Sequence, residues 1–311
     1  MTRWTIDSPT ALDFDGIVAL RVRIVAGSVA VLATDDRPRL EVTEVSGAPL
    51  LVTHEAGILT IGYEDLSWNG LRGWLKPQRH TANITIMVQK DCPTQVGVMS
   101  ASAIVSGVSA RTSLKSVSGD MTLDGVTGAV DVNTVSGNVE AQDLNGQVVF
   151  HSVSGDLTLA DGCVGRLEAK TMGGGLTADI ALGPAGEMKV STLSGDVAIR
   201  LPMGTDAEVD LRTKSGKTHS DFDALNPSTS PGTKALAGTL GTGTGKITVS
   251  SMSGDMTILR RSRRLIPEDL FADDDDDPGD TDEAQTPAGE PRAAETATMG
   301  MGGSTEEGDA R

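Results

Sequence analysis

The sequence predicts an all-β fold, a two-sided parallel β-solenoid built from rungs of about 18–21 residues, and three observations predict it. The first is a corner motif, Ser/Thr-x-(Ser/Gly)-Gly, usually followed by Asp or Asn. It is written at Ser116–Asp120, Thr134–Asn138, Ser152–Asp156, Thr171–Gly175, Thr192–Asp196, Thr213–Lys217 and Ser251–Asp255. The second is its spacing: Gly119, Gly137, Gly155, Gly174, Gly195, Gly216 and Gly254 are 18, 18, 19, 21, 21 and 38 residues apart, and the last gap is two periods of 19. The third is a period-two apolar pattern on both flanks, with Leu114, Val132, Phe150, Ala169, Val190, Leu211 and Val249 five positions before each glycine. Residues at whole periods then stack like on like, which a meander of hairpins would not allow.

The elements follow in chain order. Residues 1–90 read as a β-rich segment that caps the solenoid, and residues 91–260 as the repeats. Each repeat is two strands of about five residues joined at the Ser-Gly-Asp corner. It bends again at a glycine-rich corner such as Asp124-Gly125, Leu144-Asn145-Gly146 or Asp161-Gly162, where glycine supplies positive φ and Asp or Asn tolerates it. The motif's first residue forms a Ser/Thr ladder (Ser116, Thr134, Ser152, Thr171, Thr192, Thr213, Ser251), whose buried hydroxyls are expected to hydrogen-bond along the stack. Thr218–Gly245, rich in Gly and Thr and carrying Pro227 and Pro231, breaks the register and is expected to loop out before a final rung. A basic junction (261–271) leads to an acidic tail (272–311), expected to be disordered because it has almost nothing to bury.

The SVSGD-x-hydrophobic-x-hydrophobic copies, preceded by the FDGI and RVRIVAGSVAV segments, resemble a bacterial β-strand-repeat family. It is known as the toast-rack or "putative adhesin" domain. The resemblance covers roughly residues 10 to 260. It implies a non-catalytic, β-solenoid-like domain, found in adhesin-like surface proteins and beside components of the Lia and phage-shock envelope-stress systems. It brings no catalytic motif and no cofactor.

Charge and composition narrow the function further. The net charge is -17, but residues 272–311 hold 13 acidic and 2 basic residues, so -11 belongs to the tail and -6 to the rest. The acidity, with no aromatics interleaved among basic residues, argues against a nucleic-acid partner. The basic run Arg260–Arg264 lies close to Asp273–Asp277, which would neutralise it. No stretch approaches 18 apolar residues, and Asp7, Asp13 and Asp15 stand where an export signal needs an apolar run, so a cytoplasmic protein is expected. Cys92 and Cys163 read as reduced, buried thiols. His54, His80, His151 and His219 are scattered and suggest no catalytic or metal site. The carboxylates after the corner glycines (Asp120, Asp156, Asp196, Asp255) read as turn chemistry rather than calcium ligands, because Gly175 and Lys217 interrupt them. A carbohydrate-active solenoid enzyme would need sugar-stacking aromatics, and after residue 80 only Phe150, Phe222 and Phe271 are present.

One segment asks for a partner: Trp68, Leu71, Arg72, Trp74, Lys76 and Arg79 gather two of the three tryptophans beside three cations, between strand-like Ile58–Tyr63 and Asn83–Val88. Such a loop suits a protein interface or peripheral contact with an anionic membrane, or its tryptophans fold down to cover the first rung. Together these readings describe a non-enzymatic scaffold that binds a protein partner, in an envelope-stress or membrane-associated complex; an exported adhesin-like module is the alternative. Deleting residues 272–311 is expected to leave the melting temperature unchanged, and loss of cooperative unfolding would show that the tail packs on the body.

Overall fold

The computed structural model describes residues 1–63 and 80–261, and these contain 23 strands and no helix. The alternation of small apolar and polar residues places every second side chain inside. Val132, Phe150 and Ala169 stand opposite one another on neighbouring parallel strands and are all buried. The same holds down the far side, where Leu123, Ala141, Leu159, Ala178 and Ile199 are in register. Two parallel faces thus enclose one core of small and branched side chains, in which Phe150 is the only aromatic among the largest fully buried of the described residues.

The two faces are joined by continuous strands. Val139–Ser152, Leu157–Thr171 and Leu176–Thr192 each run along one face, turn the second corner and continue on the other. The turn is made by residues with positive φ, namely Asp143, Asp161 and Ala185 with Gly146 and Gly162. The parallel ladder expected from the glycine register therefore exists, with rungs about 4.8 Å apart.

The order of the rungs differs from the order of the sequence at the C-terminal end. Strand 187–192 pairs with Gly245–Ser251, not with Ala207–Thr213, and Gly245–Ser251 pairs on its other side with Ala207–Thr213. On the opposite face Val197–Leu201 pairs with Met256–Arg260, which pairs in turn with Thr218–Ser220. The last repeat in the chain is thus inserted between the two that precede it. Contrary to the expectation from its composition, Thr218–Gly245 does not loop out: Leu225–Ser230 and Thr233–Leu240 form an antiparallel hairpin along the outermost parallel strand Ala207–Thr213, and Leu225–Ser230 with Pro227 becomes the edge. Proline and glycine do not keep this stretch from pairing, because an edge strand can leave one side of its backbone without a ladder partner.

The N-terminal end repeats the arrangement. Ala19–Ile24 and Ala26–Ala33 form a rung that pairs inward with Thr94–Val98 and Ser102–Ser106, and outward with Ile58–Gly62 and Thr81–Val88. Antiparallel strands then cover the outermost rung: Leu50–Glu55 and Thr2–Ile6 on one face, Arg39–Ser46 and Thr10–Asp13 on the other. Antiparallel covers of this kind end a stack that would otherwise recruit further parallel strands. Trp4 packs edge-on against Phe14, 5.7 Å between ring centres, within this cover.

Leu157 is buried between rungs, so Leu157→Asp should cost about 3–5 kcal/mol by burying an unpaired charge. Chemical denaturation checks this, and an unaltered midpoint would contradict the inward assignment.

Candidate functional site

Each Ser-Gly-Asp corner is held by three sets of hydrogen bonds. The first is local. Ser152 Oγ accepts from Gly155 N at 2.8 Å and donates to Gly155 O at 3.0 Å, and Thr134 does the same with Gly137 at 3.0 Å each. Thr171, Thr192 and Ser251 accept from their corner glycines at 2.8–3.0 Å. The buried Ser/Thr ladder therefore closes its own corners rather than linking the stack. The exception is Thr213, which accepts from Gly216 N and donates to Gly254 O of the neighbouring rung. A hydroxyl three residues before the glycine is simply nearer to that glycine than to the next rung.

The second set links rungs through the motif's other serine. Ser118, Ser136, Ser154, Ser194, Ser253 and Ser215 donate Oγ to the carbonyls of Met99, Val117, Val135, Met172, Leu193 and Met252 at 3.1–3.4 Å. The third set uses the residue after the glycine. Asp120 Oδ1 accepts from Asn138 N, Asn138 Oδ1 from Asp156 N and Asp156 Oδ1 from Gly175 N; beyond that break Asp196 Oδ1 accepts from Asp255 N and Asp255 Oδ1 from Lys217 N. These carboxylates are spent on backbone N–H groups, as turn chemistry requires, and no group of three or more His, Cys, Asp or Glu among the described residues is placed to hold a metal ion.

Between these polar ladders runs an apolar one. The motif's second residue points outward, so Val135, Val153, Met172, Leu193 and Met252 are exposed by 44–55%. Backbone bonds from Ser136 N to Val117 O, Ser154 N to Val135 O, Gly173 N to Val153 O, Ser194 N to Met172 O and Ser253 N to Leu193 O place them in consecutive rungs. Val25, Met99 and Val117 extend the row at intermediate exposure, and Lys214 ends it. Seven steps of about 4.8 Å give a ridge roughly 34 Å long and one side chain wide. The sequence carries the signal, an apolar residue directly after the buried hydroxyl in six of seven motif copies, but at an outward position that period-two alternation assigns to solvent.

The sequence-predicted binding residues Trp68, Leu71, Arg72, Trp74, Lys76 and Arg79 lie outside the described residues, as do the acidic tail and the basic junction beyond Arg261. Of that junction, Arg261 meets Asp179 with Nε to Oδ1 at 2.6 Å, and just before it Arg260 donates to Asp221 O at 3.1 Å. Burial works against ionisation of Asp179, but hydrogen bonds from Arg200 and Arg261 outweigh it and hold the carboxyl below its ordinary range. Tyr63 and His80, on either side of the tryptophan segment, stack at 4.8 Å, and burial pushes the Tyr63 hydroxyl up to about 12. Both cysteines are free. Cys92 is buried as expected, its thiol pushed to about 11, but Cys163 is exposed, because it sits on the outer side of the second corner.

The family model described as Toastrack DUF4097 matches residues 82–259, more than half of the chain. The chain belongs to the toastrack family. Among solved structures it is similar to a putative lipid binding protein from Parabacteroides distasonis ATCC 8503, with 15% identity and a TM-score of 0.40 over 82% of this chain and 98% of that one. Two further likenesses, each over 82% of this chain, are to putative adhesins. One is from Bacteroides fragilis NCTC 9343 (12% identity, TM-score 0.40, 98% of that chain) and one from Parabacteroides distasonis ATCC 8503 (12%, 0.41, 96%). No curated protein matches the chain. Membership rests on the family model.

The toastrack corner makes a sharp demand at its glycine. A Cβ on Gly155 would collide with the carbonyl oxygen of Gly137, whereas a Cβ on Gly175 would meet nothing nearer than 3.5 Å. Gly155→Ala should therefore destabilise by about 3 kcal/mol. Gly175→Asn should instead stabilise by about 0.5–1 kcal/mol by completing the interrupted Asx ladder. Thermal unfolding of both variants checks this; equal effects would break the account of the corner.

Proposed function

We propose that this toastrack protein is a non-catalytic scaffold that binds a protein partner along its corner ridge, in a bacterial envelope-stress or membrane-associated complex. The observation that supports it is the ridge itself. Five large apolar side chains stand exposed in consecutive rungs, on a backbone fixed by three hydrogen-bond ladders, so little ordering cost remains to be met on binding. The carboxylates of Asp120, Asp156, Asp196 and Asp255 run beside it, which disfavours an anionic bilayer on this edge and favours a protein strip with apolar residues flanked by basic ones. The envelope-stress context comes from the family resemblance. Trp68, Leu71, Arg72, Trp74, Lys76 and Arg79 supply a second contact in this reading.

The test is affinity capture after crosslinking in the native host, followed by binding measurement with the purified partner. Met172→Asp with Leu193→Asp lies on the exposed ridge and should leave the melting temperature unaltered while weakening the partner by more than about 1 kcal/mol per residue. Trp68→Ala with Trp74→Ala should weaken it as well. A ridge variant that binds the partner as tightly as the unsubstituted protein would overturn the proposal.

A further inference from the structure

A second surface lies away from the ridge and has the opposite character. On the outward side of one face, Arg21 and Arg23 of Ala19–Ile24 stand beside Gln95 and Gly97 of Thr94–Val98, which stand beside Ser113 and Lys115 of Thr112–Ser116. Gly97 brings no side chain to this row, so the surface sinks between Arg23 and Lys115, whose Cα atoms are about 10 Å apart across two strand spacings. The depression is about 180 Å³ and is lined by Arg21, Arg23, Gln95, Gly97 and Lys115 together with Val22 and Val96. A second hollow of about 320 Å³ shares Arg21 and Gln95 with it and adds Arg111 and Ser113. The two form one shallow groove with four cations and, among the described residues, no carboxylate in its lining.

The cations here differ from Lys170 and Arg212 on the same face. Lys170 is paired with Glu168 at 2.6 Å and Arg212 with Asp210 at 2.7 Å, so those rows are internally neutralised. Arg21, Arg23 and Arg111 are exposed and form no ion pair with any described residue. Three guanidinium groups gathered without a counter-charge among the described residues, in a chain whose net charge is -17, repel one another unless an anion joins them. Guanidinium presents paired N–H donors that match the oxygens of a phosphate, and Gln95 and Ser113 add neutral donors on the groove floor.

We propose that this groove is a binding site for a phosphate-bearing ligand, held by Arg21, Arg23, Arg111 and Lys115 around Gly97. It shares no residue with the corner ridge and does not depend on the function proposed for that ridge. The phosphate comes either from a soluble polyphosphorylated molecule or from an anionic lipid headgroup, and the experiment separates the two. Calorimetric titration of the full chain with inorganic pyrophosphate is run beside co-sedimentation with phosphatidylcholine vesicles, with and without phosphatidylglycerol. The expected result is saturable binding of at least one probe, weakened about tenfold or more by Arg21→Gln with Arg23→Gln. Arg166→Gln, on the same face beside Glu168, should leave binding unaltered. Pyrophosphate binding alone assigns a soluble ligand, and binding only to phosphatidylglycerol vesicles assigns a headgroup. No saturable binding in either arm, or an Arg21/Arg23 variant that binds like the unsubstituted chain while melting at the same temperature, would overturn the site.

Discussion

The structure depends on one close approach, the corner glycine of each rung against the corner carbonyl of its neighbour. Gly119 sits on Ala101 O, Gly137 on Gly119 O, Gly155 on Gly137 O, and so along the stack to Gly254 on Gly195 O and Gly216 on Gly254 O, each too near for a Cβ to intervene. With no side chain between them, the corners stack at the spacing of backbone hydrogen bonds. Everything placed relative to a corner is therefore repeated at that spacing. The inward apolar row, the two serine or threonine ladders, the Asx ladder and the exposed ridge all inherit their regularity from it.

The division of polar work at the corner explains why an apolar ridge can exist there. A turn exposes backbone N–H and C=O groups that must find partners. The buried hydroxyl takes the glycine's own N–H, the next serine takes a carbonyl of the neighbouring rung, and the Asp or Asn takes the following rung's N–H. The position after the buried hydroxyl is left with no polar duty, and the chain fills it with Val, Met or Leu in all copies but one. A solenoid has no structural need for such residues on an outer edge, which is why the ridge supports a binding reading.

The flat faces show a second specialisation. On the rung of Arg166, Glu168 and Lys170 the charges alternate in sign along the strand and neutralise one another. Next to the N-terminal cover the pattern changes to Arg21 and Arg23 without an acid between them, opposite a glycine. The acidic-flanked apolar edge and the cationic groove thus present two surfaces of different chemical character on one stack.

Local rules, applied to single residues, determine much of this protein from its sequence. Period-two alternation decides which side chains face inward, and the recurring glycine decides where the chain turns, so the parallel stack of residues 112–201 is legible in the amino-acid pattern itself. Two earlier corners are not legible there. Val98–Ser102 and Ile24–Ser28 occupy motif positions, but Ala101 replaces the glycine and Val98 and Ile24 replace the closing hydroxyl, so the pattern disappears while the pairing persists. The ridge is legible in kind, as an apolar residue beside hydroxyls, though not in its continuity, which depends on which rungs are neighbours. What only the tertiary structure decided is the order of the rungs. Because every repeat presents the same ladder groups at the same register, Ser251–Asp255 fits against Thr192–Asp196 as well as Thr213–Lys217 does. The choice belongs to the long connection that returns the last strand inward and leaves its predecessor to be sealed by an antiparallel hairpin.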